Sequence, residues 1–145
     1  MSWHAAARYL KWFSERTGRR ARLPRDAEWE KAARGVARAM HPWGDRFDWS
    51  FVKGGLSRPE RSQPEPVGAF PWDKSIYGVR DLAGTVIEWC EDWFLENKYR
   101  LTRGGGWYSI HEGSFRAAFR LGTNPVNRSS LIGFRVAVEP PRRRG

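Results

Sequence analysis

Apolar residues Trp3, Ala6, Ala7, Leu10 and Phe13 recur at helical spacing near the start of the chain. The spacing predicts a helix over residues 2–14 with Ser2 as N-cap, ended by Gly18. A second helix is expected over residues 24–34, with Trp29, Ala32 and Ala33 inward, Glu28 near its positive end and Gly35 as its stop. Arg25 stands at its cap, so this helix start should be weak unless Asp26 substitutes. Residues 41–71 hold most of the Pro and Gly without a sustained period, which predicts an ordered, irregular excursion. A short strand and turn are expected over 76–82. Residues 101–108, 115–121 and 133–138 read as three core strands from their alternating, β-branched or aromatic content.

The last third has a second pattern. Arg103-Gly104-Gly105-Gly106-Trp107, then Arg116, Arg120, Pro125 and Arg128, then Ile132-Gly133-Phe134-Arg135-Val136 suit backbone and packing roles, and the runs between them share no chemistry. Glycines allow close main-chain approach, and guanidinium groups brace loops through forked bonds to carbonyls. This division makes the intervening loops the place to look for function.

The 145 residues are a prior for one domain, and nine Trp, eight Phe and four Tyr supply its core. The domain is expected over 1–138, followed by a basic tail over 139–145. No apolar run reaches the ~18 residues of a membrane span and no signal-peptide pattern opens the chain, so the default compartment is cytoplasmic. A single cysteine, Cys90, cannot form an internal disulfide and reads as buried filler. The net charge of +10 attracts polyanions non-specifically, but its positive residues are scattered along the chain, and no specific nucleic-acid partner is expected. Arginine outnumbers lysine 21 to 5, which fits a GC-rich or heat-adapted source.

The frame of the last third resembles the C-terminal part of the formylglycine-generating-enzyme (sulfatase-modifying-factor) family. Four further stretches look like that family's landmarks, in its order: Arg22-Leu23-Pro24-Arg25-Asp26-Ala27-Glu28-Trp29-Glu30-Lys31-Ala32-Ala33-Arg34-Gly35, Pro42-Trp43-Gly44-Asp45, Pro66-Val67-Gly68, and Asp81-Leu82-Ala83-Gly84-Thr85-Val86-Ile87-Glu88-Trp89-Cys90-Glu91-Asp92-Trp93. The resemblance implies an α+β, C-type-lectin-like fold: two helices around a small twisted antiparallel sheet with much irregular loop. The family's usual preceding strands are not seen before Met1, so the expectation is an unpaired sheet edge unless a partner or neighbouring subunit covers it, which leaves open a dimer or truncation from a longer polypeptide.

Catalytic members of the family bind copper through two cysteines after the Arg-Gly-Gly motif. The positions matching them here are about Ser109 and Ser114, and a hydroxyl cannot replace a thiolate toward a soft metal. The family's calcium set includes an Asn where Thr85 stands, and Lys53 occupies a place where another Asn ligand is common. Glu88 is therefore expected to bridge to backbone or arginine, and the Lys53 ammonium to staple the region. His4, His41 and His111 lack zinc spacing, Ser109 and His111 lack a nucleophile elbow, and the three glycines precede neither Lys-Ser nor a helix. No cofactor or metal is expected.

The chain is thus read as a non-catalytic ligand-binding protein. Its layout is similar to the variable proteins of diversity-generating retroelements, in which adenine-directed mutagenesis rewrites loop codons around a fixed scaffold. The expected binding residues are Tyr108, Ser109, Ile110, His111, Glu112, Phe119, Leu121, Thr123, Asn124, Val126, Asn127, Ser129, Ser130 and Leu131. Aromatic anchors among adaptable hydroxyl and amide groups suit a protein or other macromolecular ligand. The alternatives are a formylglycine-generating-type oxidoreductase, or a regulatory or scaffold domain of a larger bacterial or phage protein.

Overall fold

The computed structural model describes residues 1–60 and 62–140. Helix α1 spans Trp3–Thr17; Ser2 caps it by accepting from Ala5 N, and Gly18 closes it at φ 67°. Helix α2 spans Asp26–Arg34. Its weak start is repaired by neighbouring carboxylates: Glu28 accepts from Arg25 N at 2.9 Å, and Asp92, from the sheet, accepts from Asp26 N at 2.6 Å. Asp26 itself does not cap.

A two-residue strand β1 (Ala21–Arg22) lies between the helices, and β2 (Ile87–Leu95), β3 (Tyr99–Arg103), β4 (Arg120–Thr123), β5 (Ile132–Gly133) and β6 (Ala137–Val138) follow. The main sheet has the order β4-β3-β2-β5, and β1 pairs with β6. The α+β class is as expected. One pairing differs from an all-antiparallel sheet, since β2 and β5 run parallel, joined at Ile87↔Ile132.

Adjacent strand residues point to opposite faces. Trp89 joins Ala6, Leu10 and Leu23 against α1, whereas Cys90 and Leu101 pack with Trp29 and Ala33 of α2. Cys90 is fully buried, and burial pushes the pKa of its thiol up, so it stays protonated. A third cluster of Val52, Ala83 and Phe115, flanked by Trp43, Phe47 and Trp49, fills the irregular excursion.

Several strand expectations change, and residues 133–138 are split between β5 and β6, which belong to different sheets. Residues 76–82 form turns with one bridge, Lys74↔Arg80, because Asp73 gathers the backbone instead: its carboxylate accepts from Leu82, Ala83 and Gly84 N. Residues 115–121 do not form one strand; a 3-10 turn (Glu112–Phe115) precedes β4, which begins only at Arg120. The longest strand, β2, lies in the stretch read only as buried. Glu139, in the expected tail, donates its N–H to Arg20 O and pairs with the Arg20 guanidinium; residues 141–145 of that tail lie outside the described residues.

Candidate functional site

Beyond the ends of β2 and β3, three segments continue side by side without regular sheet. Thr85 N donates to Lys53 O, Trp107 N to Thr85 O, and Gly55 N to Ser109 O. Glycines permit this approach. A Cβ on Gly84 would fall 2.4 Å from Lys53 O, and one on Gly55 would fall 2.9 Å from Ile110 Cγ2 and 3.0 Å from Tyr108 O. The loop after Trp107 therefore lies directly on the 53–57 turn.

On this platform Gly55, Ser62, Tyr108, Ser109, Ile110, His111 and Ser114 line a cleft of about 460 Å³. Tyr108 is 66% exposed and Ile110 54%, so both present apolar surface to solvent. Ser109 Oγ accepts from Gly106 N at 3.1 Å, leaving its O–H free to donate into the cleft. Ser62 Oγ donates to Trp107 O at 2.5 Å and fastens the opposite wall. Gly55, Ser62 and Ser114 are not among the expected binding residues. The Gly54-Gly55 pair was the signal for the first, as a mark of close backbone approach.

The expected residues do not form one patch. Trp107 Nε1 donates to Ser130 O, and the Leu131 side chain lies over Gly106, so Ser130 and Leu131 adjoin the segment that carries the cleft, whereas Ser129 O accepts from the Met1 amino group. Strand β4 carries the others away: its register runs from Arg103↔Arg120 to Arg100↔Thr123, roughly 10 Å along the strand at ~3.3 Å per residue. Thr123 Oγ1 is 3.1 Å from Thr102 Oγ1 on the α1 face, and the 124–127 turn meets the start of α1, where Trp3 N donates to Pro125 O. Among the described residues no hydrogen bond links Leu121, Thr123, Asn124, Val126 or Asn127 to the cleft. Half-buried Phe119 sits between the groups, its carbonyl held by Arg103. Exposed His111 and Glu112 stand at the cleft's rim, where the 3-10 turn begins.

The braces also differ from expectation. Arg116, Arg120 and Arg128 are exposed; among the frame arginines Arg135 donates to Arg80 O and Asp81 O as expected, and the rest of the load is carried by Arg103, which is 1% exposed. Its guanidinium pairs with Asp26 and with Glu30 at 2.6 Å, and donates to Ala117 O at 3.0 Å. Arg120 reaches the same Asp26 from the surface at 2.8 Å. One guanidinium thus ties α2 to the segment that re-enters the sheet.

The residues present do not fit the copper or calcium sites of the family. Ser109 and Ser114 line the cleft as hydroxyls, and the lone thiol, Cys90, is sealed in the core. Glu88 accepts from Trp29 Nε1 at 2.7 Å and from Arg135 Nε at 2.6 Å, forming the expected bridge. Lys53, 1% exposed, places its ammonium 2.9 Å from Glu65, which also pairs with Arg58. A side-chain cation stands where a metal ligand would be, an arrangement that repels a metal ion. Among the described residues no group of three or more His, Cys, Asp or Glu is placed to hold a metal.

A family model described as "Sulfatase-modifying factor enzyme 1-like domain" matches residues 1–140. The chain is 34% identical over 152 residues to the inactive C-alpha-formylglycine-generating enzyme 2 of Bos taurus, covering 94% of this chain and 48% of that protein. It is 33% identical over 145 residues to the hercynine oxygenase of Mycolicibacterium smegmatis, covering 81% and 33%. Among solved structures, PvdO from Pseudomonas aeruginosa matches with a TM-score of 0.81 at 27% identity, covering 97% of this chain and 60% of that one. Treponema denticola variable protein 1 matches at 0.73 and 28%, covering 83% and 48%. The chain spans half or less of the length of these two curated relatives.

Proposed function

Because the chain belongs to the sulfatase-modifying factor enzyme 1-like family, yet carries hydroxyls where its catalytic branch needs thiolates, we propose that it is a non-catalytic domain that binds a macromolecular ligand. The observation that carries this reading is the cleft itself. Ser109 and Ser114 sit in one wall with exposed Tyr108 and Ile110, so the family's site of chemistry persists here as a surface of aromatic, aliphatic and hydroxyl groups. Such a surface suits contact by rigid anchors with adaptable hydrogen bonds. The likeness to an inactive relative and to a variable protein supports the reading; the likeness to an oxygenase supports the rival.

The ligand-contacting group is the cleft with Ser130 and Leu131. The retroelement reading adds that the codons of these loops are rewritten in place. Sequencing the DNA beside the gene tests that addition: a near-copy of the segment encoding 107–135 that differs only at adenines, next to a reverse transcriptase, supports it, and a gene without such a copy removes it.

Two measurements test the binding role. Purified chain given Cu(I) and a cysteine-containing peptide should bind no stoichiometric copper and consume no oxygen; turnover would establish the oxidoreductase instead. Tyr108→Ala with Ile110→Ala and Ser130→Ala should leave the Tm within a few degrees, since each lies at the surface. Capture of the wild-type chain's partner should then fall at least ten-fold, and undiminished capture would move the site elsewhere.

A further inference from the structure

A second, open depression of about 440 Å³ is lined by Trp43, Pro71, Trp72 and Lys74. Behind it runs a ladder of rings. His41 stacks on Trp43 at 5.0 Å between centroids, Trp43 meets Phe51 edge-on at 5.9 Å, and Phe51 lies against Trp72 at 5.4 Å. The inner end is anchored: His41 is fully buried with Nδ1 3.0 Å from Phe115 O, and Trp43 Nε1 donates to Arg46 O at 2.7 Å. The outer end, Trp72, is 61% exposed. The ladder holds a large planar ring in water.

The charges beside it are not balanced. Lys74 lines the depression, and Arg80, its partner across an isolated antiparallel bridge, carries its guanidinium over Gly68. Both are exposed, and among the described residues neither has a carboxylate within ion-pair distance. The carboxylates of Asp45, Asp48 and Asp81 accept from Met40 N, Ser50 N and Gly68 N, and among the described residues none of the three pairs with Lys74 or Arg80. An anion is the missing partner.

We propose that this depression binds single-stranded nucleic acid without sequence preference, a base stacking on the Trp72 indole while phosphates engage Lys74 and Arg80. An exposed indole accepts any unpaired base through its π-face, and neighbouring cations track the backbone. The molecule's net charge of +10 draws such a strand in. An acidic peptide would answer the same cations but has no need of a flat, rigidly backed ring, and a duplex hides its bases. The site is separate from the cleft and does not depend on the role proposed for it.

Anisotropy of a labelled oligothymidylate of about twelve nucleotides, titrated at several salt concentrations, tests the assignment. Wild-type binding should weaken with salt. Trp72→Ala should lower affinity about ten-fold or more at fixed salt, whereas Lys74→Ala with Arg80→Ala should weaken it and flatten the salt slope. Val36→Ala, at an exposed position outside both sites, should change nothing, and circular dichroism should be unchanged throughout; should Trp72→Ala fail to fold, Trp72→Leu serves with the same expected loss. Affinity independent of Trp72 would overturn the proposal, as would equal binding of a duplex. Equal, Trp72-dependent binding of oligoglutamate would replace nucleic acid by an acidic peptide.

Discussion

Arg103 carries, together with Arg135, the bracing that the sequence pattern distributes over several more arginines. Its guanidinium is enclosed by Asp26, Glu30 and two carbonyls, so removing it leaves carboxylates and acceptors without their donor. Arg103→Ala should destabilise the fold by about 3 kcal/mol or more, as breaking one partner of a buried pair does. Arg116→Ala, at an exposed position, should stay within about 0.5 kcal/mol. Urea unfolding of the two variants checks the contrast, and equal losses would return the brace to the surface arginines. The two positions look alike in the sequence, each a loop or strand arginine beside small residues. Burial separates them, and burial here depends on α2 arriving over β3.

At the scale of elements, the cleft depends on how closely three non-sheet segments lie together. Gly55 donates to Ser109 O and leaves no room for a side chain beneath Ile110. Gly55→Ala forces the 107–111 loop to shift and should cost about 1–3 kcal/mol, typical of overpacking. Thermal melting measures the cost. An unchanged Tm would mean that the loop is not seated on the 53–57 turn. The strand expectations failed for a related reason. Residues 115–121 alternate as a strand does, but the Phe115 ring enters the cluster of Val52 and Ala83, and Ala117 N donates to Met40 O, so the backbone turns before it can pair. Tertiary contacts outweighed local periodicity.

For the molecule as a whole, acid stability follows from carboxylates held by cations. Glu65 lies at about 2, lowered first by its hydrogen bond to Arg58 and further by buried Lys53, and Glu28 lies at about 2 through Arg22. A carboxylate depressed by folding contributes stability that is present above its unfolded value of 4.5 and is lost as the pH falls toward 2. Glu65 is the better enclosed of the two, whereas the more exposed Glu28 is screened by water. Wild-type stability should therefore fall between about pH 4.5 and 2, and Glu65→Gln should show a shallower decline over the same window. Denaturant melts at several pH values decide it; parallel curves would show that the Lys53–Glu65–Arg58 cluster does not contribute.

The amino-acid sequence by itself determined both helices, the family, the burial of Cys90, the bridge at Glu88 and the hydroxyls in place of thiolates. These rest on neighbouring residues and ordered motifs: Ser2 and Gly18 bound α1 through local backbone bonds, and a missing thiol is legible from composition. Only the tertiary structure decided which of the fourteen loop residues share a surface, because the β3–β4 register carries Thr123 away from Tyr108 while the β2–β5 pairing returns Ser130 to the neighbouring Trp107. It also decided that Lys74 lies beside the exposed Trp72 with Arg80 across a bridge, a juxtaposition concealed by an apparently even scatter of positive charge. The physical reason is common to both cases. Proximity between segments far apart in the chain is set by strand register and core packing, and short-range sequence pattern carries no record of either.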